Sequence, residues 1–412
     1  MHTLSQLKSG KLKGIKRLKL SENLSSFPLE ILSLADSLEI LDLSDNQLTS
    51  LPDALIKLKN LQIIFASNNR FQVLPEVLGR CENLEMIGFK SNQIEQVPAN
   101  SLPENLRWLI LTDNCIEILP DSLGERPKLQ KLALAGNRLT KLPLTLAQSN
   151  NLELVRISAN SLTECPEQLL RLPKLAWFAF SGNPFSLANL NIASVPSLPS
   201  ASFTLQEVLG QGASGVISSA TWTDNPSALP DNIAVKVFKG KVTSDGYPED
   251  ELRACLKVGD HQNLVRSLAQ VNEKNFLALI MNLIPANFKN LGLPPSFKSC
   301  TRDTFPAGFS LSISQIDKIV LQMEDVFEHL HVNKVCHGDL YAHNTLYDEN
   351  ANIIFGDFGA ATMYHMLTSE QQALIQQIER RALSCLIEDL LSICHEQEQN
   401  SPQFKIIQQK IH

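Results

Sequence analysis

A pattern of leucines closed by one asparagine recurs so evenly through residues 15–185 that it admits little besides a stacked architecture. Leu38, Leu61, Leu84, Leu106, Leu129, Leu152 and Leu175 open units spaced 22 or 23 residues apart, and Ile15 opens one more before them. Each unit follows L-x-x-L-x-L-x-x-N-x-L, with the asparagine at 23, 46, 69, 92, 114, 137, 160 and 183. Most units continue to a proline, at 52, 75, 98, 120, 143 and 166, where the chain turns to the outer face. One such unit cannot bury its apolar side alone, so neighbours must stack. Leu41, Leu43 and their equivalents are expected to point inward. The asparagines are expected to be buried and to satisfy backbone groups at the bend after each short strand, a structural role rather than a catalytic one.

This pattern resembles the leucine-rich repeat family and implies an α/β solenoid of eight units, with residues 1–14 as an N-terminal cap. Two positions after each opening residue, the side chains should face the concave side: Arg17, Ile40, Ile63, Met86, Trp108, Lys131, Leu154 and Trp177. Six of these eight are apolar, and Phe65 and Ile110 extend the strip. Exposed, contiguous apolar surface marks an interface, so a protein partner or substrate is expected there, with the tryptophans as anchors. The second domain of this chain could itself be the partner. The alternative is that these side chains only shield one another along the ladder.

At 412 residues the chain is long for one core. The repeat breaks at 186–202, a Ser- and Pro-rich stretch read as a linker whose Leu187, Leu190, Ile192 and Val195 would cap the last unit. A catalytic domain is expected over 203–400 and a tail over 401–412. The formal charge of -7 argues against an electrostatic nucleic-acid binder, despite a local basic cluster at Lys8, Lys11, Lys13, Lys16, Arg17 and Lys19. The eight cysteines include no CxxC pair, which suits reduced thiols in a cytoplasmic protein, and zinc is not expected. No apolar run is long enough to span a bilayer, which excludes sensing across a membrane in the manner of a receptor kinase.

The second half carries the chemistry. His337-Gly338-Asp339-Leu340-Tyr341-Ala342-His343-Asn344 places an acid five residues before an amide, and Asp357-Phe358-Gly359 begins thirteen residues after that amide. Between them, residues 345–355 read as a β-hairpin around an Asp/Glu/Asn turn, which returns Asp357 to the neighbourhood of Asn344. Upstream, Gly210-Gln211-Gly212-Ala213-Ser214-Gly215 is a G-x-G-x-x-G whose glycines allow backbone N–H groups to approach phosphates. A strand-like stretch from Ile217 follows it rather than a helix, which disfavours a dinucleotide site. Ile233-Ala234-Val235-Lys236-Val237-Phe238 is a strand with one lysine inside it. Glu251, fifteen residues on, is its expected ion-pair partner, with Glu249 in reserve.

In order and spacing, these elements resemble the protein-kinase fold: a mainly β N-lobe and a mainly helical C-lobe with ATP and Mg²⁺ between them. The resemblance implies that Asp339 accepts the substrate hydroxyl proton, Asn344 and Asp357 bind Mg²⁺, Lys236 clamps phosphates and Gly210, Gly212 and Gly215 cover them. It makes Met281 the gatekeeper, Asn282 and Ile284 backbone partners of adenine, and Ile217, Ala234 and Leu346 the sandwich around the base. Residues 314–333, with Ile316, Ile319, Val320, Met323, Phe327 and Leu330 at helical spacing, should form the helix before the catalytic loop.

The sequence also departs from that family. Gly338 stands where many kinases have an arginine that pairs with a phosphorylated activation loop, so switching by that route is not expected. Tyr341 and His343 leave the acceptor, Ser/Thr or Tyr, open. There is no Ala-Pro-Glu, and only 22 residues separate Asp357 from Glu379, in a run resembling the central C-lobe helix. The short C-lobe suggests a bacterial-type kinase. Two alternatives accompany this reading: a repeat scaffold with a nucleotide-binding pseudokinase domain, and a small-molecule kinase, since His-Gly-Asp also resembles aminoglycoside and choline kinases.

Overall fold

A computed structural model describes residues 2–187, 195–212, 214–225 and 228–411. The expected cap residues Leu190 and Ile192, and Ala213 of the glycine-rich loop, lie outside the described residues. The chain divides into two compact units, Met1–Leu175 with Asn183–Phe185, and Ala176–Gly182 with Ser186–His412.

Short strands β1 (Arg17–Lys19), β2 (Ile40–Asp42), β3 (Ile63–Phe65), β4 (Met86–Gly88), β5 (Trp108–Ile110), β6 (Lys131–Ala133), β7 (Leu154–Arg156) and β8 (Trp177–Ala179) form one sheet in chain order. Pairing from β1 to β7 is parallel and in strict register, from Arg17↔Ile40 through Lys131↔Leu154. Pro28, Pro52, Pro75, Pro98, Pro120, Pro143 and Pro166 each precede a short helical turn on the return side; the last is α2 (Glu167–Leu170). At the N-terminus, α1 (Leu4–Lys8) is closed by a Thr3/Gln6 capping box and buries Leu7.

The asparagines hold the stack together. Asn69 Nδ2 donates to Leu43 O at 2.9 Å in the unit before and to Ala66 O at 3.0 Å in its own, while its Oδ1 accepts from Leu48 N at 2.8 Å. The same pattern recurs at Asn46, Asn114 and Asn160. Asn23 departs from the expectation of a buried ladder residue: it is exposed, with φ 60°. Leu24 follows Asn23 directly, whereas Gln47 separates Asn46 from Leu48; the first bend is one residue shorter, and Asn23 takes the positive-φ position that Asp45 and Asn68 hold in the next units.

Along the concave strip the apolar side chains are largely covered. Ile63, Met86, Trp108, Leu154 and Trp177 are buried, and Ile40, Phe65 and Ile110 are half-buried, so they do not form an open apolar surface. Within the ladder, the Phe65 ring lies where a Cβ on Gly88 would be, and Lys131 Nζ sits 5.0 Å over the Trp108 ring.

In the second unit, β9 (Phe203–Gln211), β10 (Gly215–Trp222), β11 (Ile233–Phe238), β12 (Ser267–Glu273) and β13 (Phe276–Asn282) make an antiparallel sheet in the order β12-β13-β11-β10-β9. Helix α3 (Pro248–Val258) begins with Pro248 and three acids, which suit its N-terminal dipole. The linker does not simply cap the repeats. Leu198 is in the sheet's core with Phe203, Val195 packs beside Ala234 and Met281, and Leu198 N donates to Gln270 O of β12 at 2.9 Å.

The rest of the unit is mainly helical. Helix α4 (Ile313–Val332) starts at a Ser312/Gln315 capping box and buries Ile316, Ile319, Val320, Met323, Phe327 and Leu330. Strand β14 (Lys289–Asn290) pairs with β16 (Thr345–Tyr347), which forms a hairpin with β17 (Ile353–Phe355) in the register Thr345↔Phe355. Asp348 closes that hairpin by accepting from the backbone N–H groups of Asn350 and Asn352. Strands β15 (Val335–Cys336) and β18 (Thr362–Met363) pair beneath the loop they bracket. Helix α5 (Ser369–Ser392) follows, and then α6 (Pro402–Gln408). Within residues 401–411, Ile407 is fully buried and Lys410 Nζ reaches Glu324 of α4 at 2.7 Å. No helix among the described residues is long and apolar enough to cross a membrane.

Candidate active site

Lys236 is placed by the middle strand β11, where it pairs with Ile217 on one side and Leu279 on the other. Its side chain points to α3 and forms a buried ion pair with Glu251; Glu249, the reserve partner, is exposed. The same ammonium lies 3.8 Å from Asp357 Oδ1. Burial alone would lower the Lys236 pKa, but the charges of Glu251 and Asp357 outweigh it and hold the group above its ordinary value. Lys236 therefore stays a cation while out of water.

The loop from His337 to Asn344 is pinned from beneath. Glu379 Oε1 on α5 accepts from His337 N at 2.8 Å and Gly338 N at 3.0 Å. The His337 ring is fully buried, stacks on Phe355 at 4.1 Å and approaches Gly356 O at 3.0 Å, which ties the loop to the stretch leading into Asp357. Asn344 Nδ2 donates to Asp339 O and Oδ2 at 3.0 and 2.9 Å. Asp357 adopts a left-handed conformation (φ 59°) that directs its largely exposed carboxylate away from the core, where it accepts from Gly359 N at 3.4 Å. His343 is half-buried, and that burial lowers its pKa although Asp339 and Asp357 pull the other way.

The three loop glycines do different work. A Cβ on Gly210 or Gly212 would meet nothing within 4 Å, so the loop is open there. On Gly215 it would come 2.5 Å from Val237 O, so this glycine is required by the close approach of β11. Gln211 is exposed and Ser214 buried. Ala234 and Met281 are buried in one cluster with Leu252, Leu256 and Leu279, and Ile217 is half-buried against it. Asn282, Ile284 and Leu346 are half-buried.

Three contributors escaped the sequence reading. Glu379 marked a helix but had no role until its two bonds to the loop backbone were visible. Asp303 Oδ1 accepts from Ala342 N at 2.9 Å, and burial raises its carboxyl pKa to about 7. Its neighbour Arg302 forks onto Asp389 of α5 and pairs with Glu388. Trp177, read as an anchor for a partner or for the chain's own second domain, donates from Nε1 to Leu340 O at 2.9 Å. The one available signal was Gly338: with φ 70°, a Cβ there would lie 2.7 Å from Phe178 O and 3.0 Å from Ala360 O. An arginine at this position would be strained at this φ and would force those backbone oxygens to move.

The comparisons agree with this architecture. The protein kinase domain family matches residues 203–377, and the leucine rich repeat family matches 36–94. The chain thus joins leucine-rich repeats to a protein kinase domain. Tyrosine-protein kinase receptor TYRO3 of Gallus gallus is 28% identical over 162 residues, covering 38% of this chain and 18% of the relative. The probable serine/threonine-protein kinase cdc7 of Dictyostelium discoideum is 26% identical over 163 residues, covering 39% of this chain and 14% of the relative. The chain thus spans about a fifth or less of the length of these curated relatives. Among solved structures, a leucine-rich repeat protein of Leptospira interrogans matches with a TM-score of 0.29 and 24% identity, covering 43% of this chain and 57% of that one.

Proposed function

We infer that the chain is an ATP- and Mg²⁺-dependent protein kinase that transfers the γ-phosphoryl group to a protein hydroxyl, with its repeats selecting the partner or regulating the domain. The observation that carries this reading is the meeting of Lys236, Glu251 and Asp357, which lie far apart in sequence, through one buried ion pair and a 3.8 Å approach. A lysine held charged in this way is suited to the α- and β-phosphates of a nucleotide. The open loop at Gly210 and Gly212 would cover them with backbone N–H groups. Ile217, Ala234 and Leu346 would enclose the adenine, Met281 would back it, and Asn282 and Ile284 would bond its edge through their main chain.

The donor set suits a hard cation: an exposed carboxylate at Asp357 and an amide oxygen at Asn344. These two residues would hold Mg²⁺, which when bound offsets the negative charge of the phosphates. Asp339, oriented by its bond to Asn344 Nδ2, would accept the proton of the attacking hydroxyl. With the Glu379 and Asp303 contacts, this loop is fixed before substrate arrives, which is how phosphoryl transfer gains from positioning.

The segment from Asp357 to the first residue of α5, Ser369, is short, and this favours a second reading in which the domain binds nucleotide as a scaffold with little turnover. Incubation with ATP and Mg²⁺ separates the two. Label transferred to protein by the wild type but not by Asp357→Ala supports the kinase; nucleotide binding without transfer supports the scaffold. Transfer only to a hydroxylated small molecule would overturn the protein acceptor.

A further inference from the structure

The segment Ala176–Gly182 contains the strand of the last repeat, yet it packs as part of the kinase unit. Its contacts converge on the catalytic loop and the stretch after Asp357. The Trp177 indole donates to Leu340 O at 2.9 Å and lies flat on the Tyr341 ring, with centroids 5.3 Å apart and planes 6° from parallel. Phe178 O fills the space beside Gly338, and Phe180 N donates to Thr362 Oγ1 at 3.2 Å. Trp177, Leu340 and Tyr341 are all nearly inaccessible to solvent, so the indole bond is made out of water, where an unpaired carbonyl would be costly.

These contacts fall on both residues that follow Asp339. The backbone of Leu340 cannot shift without breaking the indole bond, nor Tyr341 without losing its stack. On the other side of Asp339, the Phe178 carbonyl leaves Gly338 no room for a side chain. We propose that Trp177 is a positioning residue for Asp339, and that segment 176–182 braces the catalytic loop permanently in place of an arginine and a phosphorylated activation segment. This rests on the kinase reading given above. It predicts a domain whose loop geometry does not await phosphorylation of residues 360–368.

The test compares wild-type full-length chain with Trp177→Phe, which keeps an aromatic face but removes the donor, and Trp177→Leu, which removes both. Phosphoryl transfer from ATP·Mg²⁺ should show kcat reduced on the order of tenfold in Trp177→Phe and a hundredfold in Trp177→Leu, while KM for ATP changes less than about twofold. A general packing defect would instead lower the fraction of protein that binds nucleotide, so binding stoichiometry is measured on the same samples. Hydrogen exchange supplies a readout independent of turnover: backbone amides of 337–344 should exchange faster in both variants, with those of β10 and β11 unchanged. If the wild type shows no transfer, the kinase reading fails, and the exchange data alone still decide the brace. Unchanged exchange at 337–344 in both variants, or an equal loss across all amides, would overturn it.

Discussion

The carbonyl oxygen of Phe178 lies 2.7 Å from where a Cβ on Gly338 would stand. Gly338 has φ 70°, and its own N–H is held by Glu379, so the residue before Asp339 is confined from above and below. Gly338→Ala should therefore lose about 2 kcal/mol or more, from left-handed strain and from contact with two backbone oxygens. Gly212→Ala, whose Cβ would meet open space, should stay within about 0.5 kcal/mol of wild type. Denaturant unfolding of the two variants checks both.

The buried Lys236–Glu251 pair makes a second expectation. Its side chains are 11% and 3% exposed, so removing one partner strands a charge out of water. Glu251→Ala should cost about 3 kcal/mol and weaken ATP binding, because the lysine loses the group that aims it. Chemical denaturation and nucleotide titration together read the two effects.

Asp303 gives the kinase unit a pH dependence with a definite sign. Its folded-state pKa of about 7 exceeds the ordinary carboxyl value of 3.8, chiefly through burial, with Asp389 and Asp339 adding to the shift and Arg302 opposing it. The folded protein thus binds a proton that the unfolded chain has already released. This group's contribution to stability is fully present below about pH 4 and is lost as pH rises to about 7, at up to about 1.4 kcal/mol per pH unit. Asp303→Asn retains an acceptor for Ala342 N and should remove that slope. Unfolding midpoints between pH 4 and 8 would show it, and an unchanged slope would count against the assignment.

In the solenoid, Asn69→Ala should cost about 1–3 kcal/mol, since it strands the buried Leu48 N–H and removes one of the two asparagine donors to Leu43 O and Ala66 O, which keep Asn46 and Asn92. Asn23→Gly should fall within about 0.5 kcal/mol, because Asn23 is exposed and its positive φ suits glycine. Thermal melts of both variants distinguish the ladder from its first rung.

What the sequence made legible follows from locality. The ladder asparagines bond within their own unit and the one before it, so the periodicity displays the ladder; Asn23 departs because Leu24 follows it directly and the first bend is one residue shorter. The hairpin between Asn344 and Asp357 is likewise short-range, and Asp348 sets its turn. The Lys236–Glu251 pair was readable because a lone lysine in an apolar strand and an acidic helix start are unusual together. Which of the readings of the concave strip holds was not legible, since alternation along a strand says which face a side chain takes but not what covers that face. Trp177 bonds a carbonyl 163 positions away, and no periodicity encodes such a contact. Gly338 carried a trace of it, because a glycine where a side chain is usual signals close backbone approach. Asp303 sits in an irregular segment with no pattern, and only its bond to Ala342 N reveals its part.

Mass spectrometry of protein acceptors after incubation with ATP and Mg²⁺, comparing wild type with Asp339→Asn, reads the phosphoryl transfer itself. The substitution preserves the side chain's shape and an oxygen for Asn344 while removing the proton acceptor. The account predicts phosphate on protein hydroxyls with the wild type, and at least about a hundredfold less with Asp339→Asn at equal nucleotide occupancy. Equal phosphorylation by the two proteins, or none by either while both bind ATP, would contradict it.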